Sequence, residues 1–153
     1  MKDLQPLMAL LSHAEGERDE ALAHRQRMRE ALDAARAQAE QLLAYRADYE
    51  QRWRERFAQP GQVQLLQSYH GFVTRLTMAI EHQGRVAEQA ERKLERADEA
   101  LQQQELRVAS VLKLIERRVG EIEQHKERSE QRQLDEIASR AAWNRLAAAT
   151  TRF

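Results

Sequence analysis

Cysteine is absent from this 153-residue sequence, so disulfides and thiolate metal sites contribute nothing to it, and a reducing compartment is the expectation. Aromatic residues make up only 5% of the chain, too few to fill a globular core of this length. Proline occurs twice and glycine five times, so the sequence offers few places to break a helix. Net charge is also missing. Lysine plus arginine equals aspartate plus glutamate, 25 of each, and the signs are interspersed. No basic face builds up, so the electrostatic term that drives nucleic-acid binding is lacking. The apolar run Leu7 to Leu11 is shorter than a secretory core, and no later run is long enough to span a membrane. A cytoplasmic protein without membrane insertion is expected.

Alanine, leucine, glutamate, glutamine and arginine are abundant, and the mean hydropathy is -0.81. That is the composition of long helices with a narrow apolar seam. Disorder is the competing reading of so polar a chain, but the apolar residues are too regularly spaced for it. Pro6 suits the first turn of a helix, and Pro60-Gly61 is the strong turn signal. One domain over 1–153 is expected: helix one over about 4–58, a turn at 59–62, and helix two over about 63–145. The predicted fold is all-α, an antiparallel coiled-coil hairpin whose second helix is the longer.

Alternating steps of three and four residues define the seam. In helix one they pass through Leu4, Leu7, Leu11, Ala14, Arg18, Ala21, Arg25, Met28, Leu32, Ala35, Ala39, Leu42, Arg46, Tyr49 and Trp53. In helix two they pass through Leu66, Tyr69, Val73, Leu76, Ile80, Gln83, Ala87, Ala90, Leu94, Ala97, Leu101, Gln104, Val108, Val111 and Ile115. A heptad pattern this long implies left-handed supercoiling against a partner helix. Arginine and glutamine on the seam cost stability and restrict register. Residues equidistant from the turn should face each other: Tyr49 and Phe72, Leu42 and Ala79, Leu11 and Val108. Beyond about residue 117 helix two has no partner in the chain. Val119, Ile122, Leu134, Ile137, Trp143 and Leu146 nevertheless recur there as an unmatched apolar stripe.

The chain has three tyrosines, three phenylalanines and two tryptophans. Six of them are Tyr45, Tyr49, Trp53, Phe57, Tyr69 and Phe72, which folding gathers around the turn. Tyr49, Trp53 and Tyr69 lie on the seam and read as a plug for its end. Tyr45 and Phe72 fall off it, beside Leu42, Leu76 and Ala79, and read as a partner-binding patch. Catalytic constellations are absent. His13 with Glu17, and Glu20 with His24, have one-turn spacing that could hold a metal, but such pairs arise by chance in a glutamate-rich helix. Glu91, Glu95, Asp98 and Glu99 alternate with Arg92, Lys93 and Arg96 as a solvated face. Gly16, Gly71, Gly84 and Gly120 are isolated and form no phosphate loop. They read as points of close backbone approach or local flexibility. No enzyme, cofactor or metal centre is expected.

The turn near residue 60, Leu42-x-x-Tyr45-x-x-x-Tyr49, Phe72-x-x-x-Leu76-x-x-Ala79 and Gln133-Leu134-Asp135-Glu136, at these intervals and this length, resemble the flagellar export protein family FliJ. The resemblance covers the whole chain. It implies a component of the bacterial flagellar type III export apparatus, located in the cytoplasm and peripherally associated with the inner membrane at the flagellar base. It also implies a stalk-like coiled coil that binds the export ATPase hexamer, promotes its assembly and hydrolysis, and docks on the cytoplasmic linker of the export-gate membrane protein. Export chaperones are further implied partners. The gate-binding surface of the family maps onto Gln38, Leu42, Tyr45, Tyr49, Phe72, Leu76 and Ala79, with His82 as its histidine. For the ATPase ring, the apolar residues at the far end of the hairpin are the candidates: Leu4, Leu7, Leu11, Ile122, Ile137 and Trp143. Two alternatives remain open: an escort chaperone for export substrates or empty chaperones, and a self-associating structural coiled coil, including the equivalent stalk of a virulence injectisome.

Overall fold

The computed structural model describes residues 4–58 and 63–151. The Pro60-Gly61 turn expected at 59–62 lies outside them. Two helices account for almost all of the rest: α1 over Gln5–Phe57 and α2 over Val63–Thr150. They pack against each other as a hairpin in which α2 is the longer. Pro6 sits in the first turn of α1, where its missing N–H leaves no helical bond unmade. The Met8 N–H donates to the Leu4 carbonyl at 2.9 Å, which fixes that turn. At the far end of α2, the Thr150 and Thr151 hydroxyls donate to the Ala147 carbonyl at 2.9 and 3.0 Å. The Ala147 carbonyl also accepts the Thr151 N–H at 3.2 Å, and the Thr151 hydroxyl reaches the Ala148 carbonyl at 3.0 Å, so the hydroxyls supplement the backbone bonds of the last turn.

The seam follows the heptad reading closely. All fifteen seam positions from Leu4 to Trp53 are buried or half-buried, and so are the α2 seam positions from Tyr69 to Ile115. Leu66 departs from the expectation, being 51% exposed while Leu65 is half-buried. In its first turn, α2 buries the neighbouring leucine, and the predicted phase takes hold at Tyr69.

Contacts divide the chain into two compact units, Gly16–Leu106 in one and Met1–Glu15 with Arg107–Phe153 in the other. Within the first, Leu32, Ala35, Leu76, Leu94, Ala97 and Leu101 are buried. The polar seam residues fix the register there. Gln83 is 9% exposed, and its Nε2 donates to the Ala35 carbonyl at 3.1 Å across the interface. Arg25 pairs with Asp98, and Arg36 lies 3.8 Å from Glu91. Forward steps along α1 meet backward steps along α2, as antiparallel packing requires. In the second unit, Ala14 is fully buried against Val108 and Val111, with Leu11 and Ile115 packed beside them. Leu11 and Val108 thus share one cluster, as equidistance from the turn predicts.

Beyond Ile122 burial almost ceases. From Glu123 to Thr151 every residue except Ala141 is exposed, although the segment is helical as far as Thr150.

The helical glycines require a correction. A Cβ built on Gly16, Gly71, Gly84 or Gly120 meets nothing within 4 Å, so none of them marks a close approach of another backbone. Each is simply a weak point in its helix. Replacing Gly16 or Gly71, both exposed, by alanine is expected to stabilise the fold by about 0.5–1 kcal/mol. Thermal melting of each variant checks this, and a lowered midpoint would show that the space is not free.

Candidate functional site

Tyr45, Tyr49, Trp53 and Phe57 are spaced one turn apart, so they stack along one side of α1. The first residues of α2 bring Tyr69 and Phe72 to the same place. Tyr49 is the hub. Its ring centroid lies 4.3 Å from Phe72, 5.8 Å from Tyr69, 5.8 Å from Trp53 and 6.4 Å from Tyr45. Trp53 and Tyr69 meet at 5.4 Å, and Phe57 closes on both at 5.2 and 5.4 Å. The plug expected at the end of the seam is therefore a continuous cluster with Trp53 as its most enclosed member, 9% exposed. The Arg56 guanidinium sits over the Trp53 ring at 5.7 Å, within the range of a cation–π contact.

Tyr45 and Phe72 form the outer edge. Their rings meet edge-on at 6.3 Å, with Tyr45 52% exposed and Phe72 half-buried. An exposed tyrosine from α1 and a half-buried phenylalanine from α2 thus form a single apolar edge, held by Tyr49. A shallow depression runs beside it, lined by Tyr45, Tyr49, Arg52, Trp53, Glu55 and Arg56.

The other predicted gate residues divide by depth. Leu42 is half-buried and Leu76 is buried, 8% exposed. Gln38, Ala79 and His82 are all exposed. Leu42 and Ala79, expected to face each other, thus differ in depth. Arg52 and Arg56 at the depression had no place in the sequence reading, although their one-turn spacing beside Trp53 was a usable signal.

The candidates near the start of α1 and the end of α2 differ in the same way. Leu4, Leu7, Leu11 and Ile122 are half-buried. Ile137 is 64% and Trp143 72% exposed, with Leu134 and Leu146 equally open at 66% and 64%. Among the described residues, no group of three or more histidine or acidic side chains is placed to hold a metal ion. Nor, among the described residues, is any helix long and apolar enough to cross a membrane.

The family model described as "Flagellar FliJ protein" matches residues 1–147. No curated protein and no solved structure matches the chain.

Tyr49→Ala is expected to cost about 3–5 kcal/mol, because it removes the shared neighbour of four other rings. Chemical denaturation measures the loss. A cost below about 1 kcal/mol would mean that the cluster does not hold this end of the hairpin.

Proposed function

Because the chain belongs to the flagellar FliJ protein family, whose members are non-catalytic components of the flagellar export apparatus, we propose that it works as a two-ended adaptor of that apparatus. One end docks on the cytoplasmic linker of the export-gate membrane protein. The other engages the export ATPase ring as a stalk and promotes its assembly and hydrolysis. Such a protein works in the cytoplasm at the inner face of the membrane.

The observation that carries the gate reading is the edge contact between Tyr45 and Phe72. It presents to solvent an aromatic patch already ordered by Tyr49, so docking costs little further side-chain entropy. Buried aromatic anchors of this kind dominate binding energies at interfaces. Gln38, Ala79 and His82 would form the polar and small-residue rim of that surface. Leu42 and Leu76 would support it from below. The stalk reading is supported by the exposed apolar residues Ile137 and Trp143 on a segment of α2 with no mate in the chain. Leu4, Leu7, Leu11 and Ile122 would supply the flanking contacts.

Replacing Tyr45 and Phe72 together by alanine should leave helicity nearly unchanged and weaken binding to the gate linker by about a hundredfold, since two anchor rings are lost. Titration calorimetry with the isolated linker reads this, and unaltered affinity in a well-folded variant removes the patch from the interface.

ATP hydrolysis by the export ATPase should rise when the full chain is added at about one copy per ring. A chain truncated before Ile122 should keep its hairpin but lose that stimulation. Equal stimulation by the two chains would place the ATPase contact elsewhere.

A further inference from the structure

The exposed end of α2 carries its own charge pattern. Over 123–136 there are five acidic residues (Glu123, Glu127, Glu130, Asp135 and Glu136) against three basic ones (Lys126, Arg128 and Arg132). Over 137–151 there is no acidic residue, and Arg140 and Arg145 are the only charged side chains. Alternating steps of four and three pass through Glu123, Glu127, Glu130, Leu134, Ile137, Ala141, Asn144 and Ala148. This is a second seam, about four heptads long. Val119, four residues before Glu123, is half-buried, and Glu123 lies one residue past Ile122, to which the hairpin's own seven-residue register leads from Ile115. It is open to solvent: Leu134 is 66% and Ile137 64% exposed. Among the described residues, none of Glu123, Glu127, Glu130, Arg140 and Arg145 has an ion-pair partner within the chain.

We propose that this second seam pairs with the same seam of a second copy, antiparallel, about a two-fold axis between Leu134 and Ile137. Complementary charge selects this occupant and this orientation. With Leu134 of one copy facing Ile137 of the other, Glu130 faces Ala141, Glu127 faces Asn144 and Glu123 faces Ala148. Arg140 and Arg145 then flank the glutamates at positions 130 and 127, and each contact occurs twice by symmetry. Parallel pairing would stack glutamate on glutamate at three successive seam levels, a like-charge arrangement that coiled coils avoid. The apolar centre supplies the attraction, and the charges fix direction and register.

The proposal goes beyond the stalk reading and concerns the chain alone. The two share a surface, because a self-paired terminal segment is closed to an ATPase ring until the copies separate.

Sedimentation equilibrium of the full chain at low salt tests it. The wild type should show a reversible monomer–dimer equilibrium. Glu127→Arg with Glu130→Arg should weaken it at least about tenfold, as should Arg140→Glu with Arg145→Glu. All four positions are exposed, so the hairpin is retained in both variants. An equimolar mixture of the two should dimerise again, because each copy then supplies the charge that the other lacks. The natural absence of cysteine allows a direct reading of orientation. Leu134→Cys mixed with Ile137→Cys should cross-link between the two variants faster than either does with itself. A wild type that stays monomeric at all concentrations overturns the proposal. So does a mixture that associates no better than its components, or faster self-cross-linking of Ile137→Cys. A monomeric wild type whose terminal segment is protected only on adding the export ATPase also overturns it, while leaving the stalk reading intact.

Discussion

The structure depends on a limit to how much each helix can bury. With 33% of residues charged, neither helix has more than one narrow apolar stripe, and a stripe is buried only where a mate lies against it, which for α2 extends to about Ile122. Isolated helices in water gain too little from propensity alone to be firmly ordered, and packing supplies most of the difference. Antiparallel pairing meets that requirement within one chain. It also fixes which residues become neighbours: once α1 runs against α2, a position on one helix determines its partner on the other. The closeness of Tyr49 and Phe72 and the shared cluster of Leu11 with Val108 follow from the same constraint.

Such a seam is easily shifted by a heptad, because alanine and leucine recur at every level. Polar insertions prevent the slip. Moving Gln83 away from the Ala35 carbonyl would strand a buried amide, at a cost of about 1–3 kcal/mol. The pairing of Arg25 with Asp98 adds direction, although both side chains are substantially exposed and the pair contributes little net stability. These residues weaken the seam relative to leucine and in exchange make one alignment best. The aromatic cluster depends on that alignment, because a slip would part Tyr45 from Phe72 and dissolve the patch they form.

Sequence periodicity made the seam legible because burial along a coiled coil follows spacing almost alone. Arg18, Arg25 and Arg46 were placed on it despite their charge, and all three are half-buried. Periodicity fails in the first turn of α2, where the alternation points to Leu66 and the helix buries Leu65 instead. For the glycines, spacing leaves close approach and local flexibility both open, and the open space around each removes the first. The aromatic grouping was visible from one-turn intervals, whereas the depth of Leu76 compared with Ala79 required the helices in place. The heptad reading also stopped at Ile115. Past that point the register of Ile115 leads through Ile122 to polar positions such as Ser129 and Glu136, and the exposed Leu134 and Ile137 lie off it.

A helix pair acts through what it leaves uncovered. Most of this surface is a mixed-charge face that water solvates well, so it offers little gain on binding. Two places differ. The Tyr45–Phe72 edge in Gly16–Leu106 keeps aromatic surface in solvent although seam positions lie one step away. The terminal part of α2 keeps Leu134, Ile137, Trp143 and Leu146 in solvent on a helix that continues well past its last buried residue. Covering any one of these side chains fully is worth about 1.5–3 kcal/mol, comparable with the contribution of an interface hot spot. Retaining them exposed is costly to solubility unless something covers them part of the time. For a member of a family of flagellar export components, the buried polar residues of the seam keep the Tyr45–Phe72 edge in register, because Gln83 and Arg25 favour one alignment of the two helices.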